Sequence, residues 1–287
     1  MIPQFTHKLI SSFQLWFENK LVSDGCKAYF TNVSNTFRQI DFDDIPSGYY
    51  AYQGLHRQLV AEYDVDVPNS GVIINGNFVS GDSEDIYIDY NRGRVVVPEA
   101  SGDSLNITAN HTIKEVNVYL TEDDETQILT QSDFIDTSDT STTHLSSKVD
   151  KLDDNIRLLP ACFIKLEKNT CEPLAFGGYS DTPTSVRVIV LASSNYIVDG
   201  LLSFFTEQCQ KCIPLVPFGD NPYGEIFTLK SYPYAYSDYT GGYGEKAFIS
   251  KVRTSKVTDS FSLERLQRNL VLGYIDFELS TYRYPNM

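Results

Sequence analysis

Apolar residues recur every four positions at the start of the chain: Phe5, Leu9, Phe13, Phe17 and Leu21, with Trp16 adjoining the same face. That period predicts an amphipathic helix, entered near Pro3 and stopped at Asp24-Gly25. The period then shortens. Residues 27–31 and 36–42 read as strands, and from Tyr49 onward short β-rich runs alternate with turn residues. Val72 to Val79 carries Asn75-Gly76 at its centre, the pair that suits a type I′ hairpin. Residues 86–90 and 94–97 form a second hairpin pattern, while 105–108 and 113–120 alternate as half-buried strands do. Short strands at this spacing predict a β-sandwich or small β-barrel behind the N-terminal helix.

The second half mixes the two periods. Residues 161–167 and 185–192 read as strands, the latter nearly continuous in apolar residues. Ser194 or Asn195 can cap a helix through Ile197, Leu201, Leu202, Phe204 and Phe205 to about Lys211. Residues 226–230 and 248–252 follow as strands, 262–269 as helix or loop, and 270–282 as a long terminal strand. The fold class expected is therefore α+β. Between the halves lies a stretch dense in Ser, Thr and Asp, residues 131–147, whose composition cannot bury enough apolar area to offset its ordering entropy. The expected organisation is residues 1–135 as helix plus β-rich domain, 136–150 as exposed linker, and 151–287 as an α+β domain.

Charge sharpens that division. The 287-residue chain carries 23 Lys and Arg against 38 Asp and Glu, a net of −15. Of this, −14 falls in residues 1–150 and −1 in residues 151–287. So acidic a chain is ill suited to general nucleic-acid binding, which sets Lys and Arg against phosphate. No apolar run reaches the ~20 residues a bilayer span needs, so no membrane partner is expected. The first residues lack the basic and apolar regions of a secretory leader, so none is expected either.

Catalytic and metal signals are sparse. Cys209-Gln-Lys-Cys212 has a spacing that serves zinc or redox chemistry, and Cys162 with Cys171 could complete four thiolates. Eight residues separate that second pair, and the C-x-x-C closes a helix instead of opening one, which favours plain reduced thiols. With Cys26 the count is odd, which argues against a disulfide framework. His7, His56, His111 and His144 share no ligand spacing. No nucleophile elbow, P-loop or dinucleotide fingerprint occurs, and the Gly241–Gly244 cluster lacks the strand-to-helix setting of a phosphate cradle. No cofactor, metal site or catalytic residue is expected, and the protein is not expected to be an enzyme. An unrecognised carboxylate site is the reading that would reverse this.

The acids cluster at 41–44, 82–85 and 122–125 without an EF-hand pattern, which favours solvated turns over calcium sites. Residues 58–91 hold seven acids and no Lys or Arg, and residues 115–147 hold eight and none. Tyrosines crowd another segment: Tyr232, Tyr234, Tyr236, Tyr239 and Tyr243. Tyrosine is enriched where proteins meet, so these are candidate interface residues, with packing onto the chain's own fold or a sugar platform as alternatives.

The order of strand, loop, apolar strand, single helix and antiparallel strands closing on a long last strand resembles tailed-bacteriophage neck and tail-terminator proteins. The residues that carry it are 159–166, 185–190 with the following helix, and 273–283. Residues 69–76 and 88–96 resemble β-domains of phage virion proteins. The resemblance implies a tail-terminator-like second domain and a homo-oligomeric ring in the virion. Its neighbours would be portal or adaptor proteins and tail tube or sheath proteins, and DNA would pass without specific binding. Within such a ring Asp82, Glu84, Asp85, Glu122, Asp123, Asp124 and Glu125 could line the channel and repel phosphate. Ordinary solubility explains the same acids if they face outward. The competing function is a β-rich carbohydrate-binding or adhesin-like module.

Overall fold

A computed structural model describes residues 5–23, 25–40, 45, 47–56, 58–62, 71–81, 86–99, 105–136, 156–173, 180–222, 234–242, 244–257 and 270–283. The architecture is α+β: four α-helices among these residues, with mostly antiparallel strands in sheets that curl into half-barrels.

Helix α1 (Phe5–Val22) fulfils the four-residue period, but its surroundings differ from the expected amphipathic helix. Ser12 through Asn19 are all buried, polar residues included. A helix hydrophobic on one stripe can be covered by one sheet; this one is gripped by two.

The first sheet has seven strands in the order β4-β3-β7-β1-β2-β6-β5. They are β1 (Tyr29–Ile40), β2 (Tyr49–Gln53), β3 (Val72–Ile74), β4 (Asn77–Val79), β5 (Tyr87–Asp89), β6 (Arg94–Pro98) and β7 (Ile107–Lys114). All its pairings are antiparallel. The two strands expected over 27–42 are one strand, because a register shift between Phe30 and Val33, with Asn32 at φ 54°, lets pairing with β7 continue past an irregularity. Asn75 and Gly76 both take positive φ, 50° and 87°, as a two-residue I′ turn requires.

The second sheet has six strands, β15-β16-β17-β14-β11-β8. These are β8 (Asn117–Leu120), β11 (Ala161–Asn169), β14 (Thr184–Ala192), β15 (Cys212–Pro214), β16 (Lys246–Val257) and β17 (Val271–Ser280); β12 (Glu172–Pro173), β13 (Ser180–Asp181) and β18 (Tyr282–Arg283) form a small sheet of their own. Only β8 runs parallel to its neighbour. Helix α3 (Asn195–Thr206), capped by the Ser194 hydroxyl, lies on the core face of this sheet and ends at Thr206, short of the expected stop near Lys211. Gly273 lets it settle there: a Cβ at that position would lie 2.8 Å from Val198 Cγ1.

The run 113–120, expected as one strand, is shared between the two sheets. The chain leaves β7 at Glu115-Val116, where Glu115 N–H donates to Ala28 O, and joins β11 through Asn117 N–H to Pro160 O, both at 2.9 Å. Gln58 then stitches the sheets together: its Nε2 donates to Val118 O at 2.6 Å and its Oε1 accepts from Val118 N–H at 2.7 Å. The side-chain amide stands in for one residue of a missing outer strand.

Helix α2 (Glu125–Gln131) was not expected; it covers the outer face of the second sheet with Ile128 and Leu129. After it, β9 (Asp133–Asp136) pairs in parallel with β10 (Ile156–Leu159). The division at 136–150 therefore does not separate two cores. One cluster joins Leu9, Phe13 and Ile107 from the first half to Val188, Phe205 and Phe277 from the second. Residues 137–150, most of the expected linker, lie outside the described residues, as do the expected elements at 226–230 and 262–269.

His111, buried on β7, sets its ring edge-on to Phe37 at 5.7 Å. Burial pushes the imidazole down to about 4. The unfolded chain takes up that proton near the ordinary 6.5, so the contribution of neutral His111 is complete above that value and is lost as pH falls toward 4. Stability should drop by about 2 kcal/mol more between pH 7 and pH 5 in the wild type than in His111→Leu, read by urea melts. Parallel pH curves would refute it.

Candidate functional site

The tyrosine segment turns inward. Tyr234 and Tyr236 are 8% and 5% exposed and belong to the main core. Tyr234 N–H donates to Ala61 O at 2.8 Å, and both rings pack against half-buried Tyr239, at 6.0 and 6.5 Å. Burial and the nearby Glu62 carboxylate raise the Tyr236 phenol well above its ordinary value. These side chains hold helix α4 (Ser237–Gly242) onto the body, so serine at 234 or 236 would open a cavity instead of altering an exposed contact. The expectation that Tyr234 and Tyr236 face a neighbour is corrected accordingly. Tyr232 lies outside the described residues, as do Asp82, Glu84 and Asp85.

The acids at 122–125 have local work. Asp124 caps α2: its carboxylate accepts from Gln127 N–H, and Gln127 Oε1 accepts from Asp124 N–H, both at 2.9 Å. Asp123 N–H donates to Thr121 Oγ1 at 3.0 Å. Glu122 and Asp124 are exposed, and Asp123 and Glu125 half-buried. Glu125 reaches Tyr274; desolvation first, then this carboxylate, pushes the phenol up to about 12.

The register of the second sheet assembles a charged band that no sequence spacing announces. Lys165 lies opposite Arg187, Arg187 opposite Asp276, and Asp276 opposite Arg253. The next row on this face sets Ser185 opposite Glu278 and Glu278 opposite Lys251. Arg187 is bidentate to Asp276, Nε to Oδ1 at 2.7 Å and NH2 to Oδ2 at 3.2 Å, and stacks over Tyr274 at 5.3 Å. The Asp276 hydrogen bond holds the guanidinium above its ordinary value. Arg253 pairs with Glu278 at 2.9 Å. Thr121 N–H donates to Ile164 O, so the 122–125 turn begins at the same level, at the β8 end of this band. A band of fixed, half-exposed charges spanning a sheet can align another protein surface.

The cysteines are dispersed: Cys162 sits inside the core, where burial raises its thiol, while Cys171 and Cys212 are exposed. Among the described residues no group of three or more His, Cys, Asp or Glu could hold a metal ion, and no helix is long and apolar enough to cross a membrane. No protein-family model matches the chain, and no curated protein matches it.

Proposed function

We propose that the protein is a ring-forming structural component of a tailed-phage virion, a neck, head–tail connector or tail-terminator protein linking the capsid portal complex to the tail. One observation carries the reading. Strands β11 and β14, helix α3 and strands β16 and β17 follow one another in the order the resemblance implies, with the helix laid over one face of an antiparallel sheet. The other face presents the charged band, a surface fit for protein contact. In this reading copies of the chain assemble with one another, stack between portal or adaptor and tail tube or sheath proteins, and let DNA pass without binding it.

Mass photometry with negative-stain imaging of the purified full chain tests this. Closed rings of uniform size are the expected result. A chain that stays monomeric at tens of micromolar and is retained on a glycan array would overturn the proposal in favour of a carbohydrate-binding module.

A further inference from the structure

The two ends of the charged band are unlike. At one end β16 is twelve residues long, but β15 covers only Lys246–Phe248. Backbone bonds at 2.9 Å between Ile249 and residues Gln210 and Lys211 extend that cover by one residue. Beyond it, no strand lies outside Ser250–Val257 among the described residues, an open edge about 26 Å long. The strand carries Lys246, Lys251, Arg253 and Lys256 and no acid. Arg253 and Lys256 are engaged by Glu278 and Asp199, whereas Lys251 is exposed and forms no ion pair among the described residues.

At the other end β8 is closed against strand addition at Val118 by Gln58. Past it come Glu122, Asp123 and Asp124, and from Glu122 to Asp136 there are six acids and no Lys or Arg. The row register sets these two ends at the same height. Leu120 is opposite Ile164, Ile164 opposite Val188, Val188 opposite Ile275, and Ile275 opposite Thr254. Four strand spacings, about 19 Å, separate them.

We infer that the open β16 edge receives the Glu122–Asp124 turn of a second copy, so that copies meet head to tail. A two-fold, antiparallel pairing of β16 with itself about Val252 would set Lys251 opposite Arg253 of the other copy on both sides of the axis, and like charges directly opposite repel. An acidic partner at the same level removes that penalty. A contact between two different patches of the same chain repeats around a closed ring, which a self-complementary patch cannot do. The inference rests on the ring reading above and gives it a contact surface. It also assigns the Glu122–Asp124 turn to the seam between copies instead of the channel wall.

Charge reversal on the full chain tests it by mass photometry. Lys251→Glu with Arg253→Glu puts acid on both contact surfaces, and Glu122→Lys with Asp123→Lys turns the 122–124 turn from three acids into two Lys and one Asp, the same sign as the β16 edge. Each doubly substituted chain alone should lose at least tenfold in assembled fraction. Mixed one to one, they should recover rings, because the acidic ends of one meet the basic ends of the other, and recovery also shows that both fold. If the wild type forms rings and either variant alone does so equally, or the mixture does not recover although both variants melt cooperatively, the contact is wrong while the ring stands. Lys251→Glu alone, which breaks no ion pair among the described residues, should also lower the assembled fraction, and an unchanged fraction overturns the contact as well. If the wild type forms no assembly, both fall.

Discussion

Lys114→Met should destabilise the fold by about 3–5 kcal/mol, the cost of leaving one member of a buried ion pair without its partner. Lys114 Nζ stands 2.9 Å from Glu18 Oε2, with 5% and 2% of the two side chains exposed. Gln14 Nε2 donates to Glu18 Oε1 at 3.0 Å from one turn earlier on α1. Next along the helix, Asn19 Nδ2 donates to Glu62 Oε1. These groups form the polar side of a helix whose other side is packed in aromatics. Without the ammonium, the Glu18 carboxylate stays buried without its counter-ion. Replacing both, Glu18→Met with Lys114→Met, should recover most of the loss, because apolar residues of similar volume fill such sites well. Urea melts at pH 5 and pH 8 read all three proteins. A Lys114→Met chain within 1 kcal/mol of the wild type at both would show that the pair carries little.

What could be read along the chain was local. The four-residue period of α1 and the Asn75-Gly76 turn each depend on neighbours within a few positions, and both are seen in the structure. Helix α2 was also locally encoded, by Asp124, Gln127 and the apolar Ile128-Leu129, but its cap sits inside an acidic run that reads equally well as a solvated turn. The break at Glu115-Val116 had no local mark. It is made by Ala28 and Pro160, dozens of residues away in either direction, which take over the backbone hydrogen bonds of β7 and β8. The candidate site divides in the same way. Tyrosine serves an interface or a core with the same ring, so only the packing of Tyr234 and Tyr236 against Ala61 and Tyr239 decides between them. Lys165, Arg187, Asp276 and Arg253 become one band solely through strand register, a long-range property with no counterpart in spacing.

Phe205→Ala should cost about 3–5 kcal/mol and lower the melting of the whole chain in one step. Phe205 of α3 is fully buried and stacks on Phe17 of α1, with ring centroids 4.1 Å apart and planes 4° from parallel. Trp16 meets it edge-on at 6.2 Å and Phe277 of β17 at 6.1 Å. Phe13 and Trp16 in turn meet Phe277 at 5.1 and 5.9 Å. The cluster joins the first helix of the chain to the sheet built largely from its second half, so deleting one ring removes contacts from both. Alanine leaves a cavity that rigid aromatic neighbours cannot close, which sets the cost above that of transfer alone. A double-mutant cycle with Phe17→Ala should show coupling of about 0.5–1.5 kcal/mol beyond the separate losses, the worth of an aromatic pair. Calorimetry distinguishes the shared core from two independent domains. A shared core predicts a single transition that moves down as a unit in Phe205→Ala. Two transitions, of which only the one assigned to residues 151–287 shifts, would mean that α1 does not tie the halves into one cooperative fold.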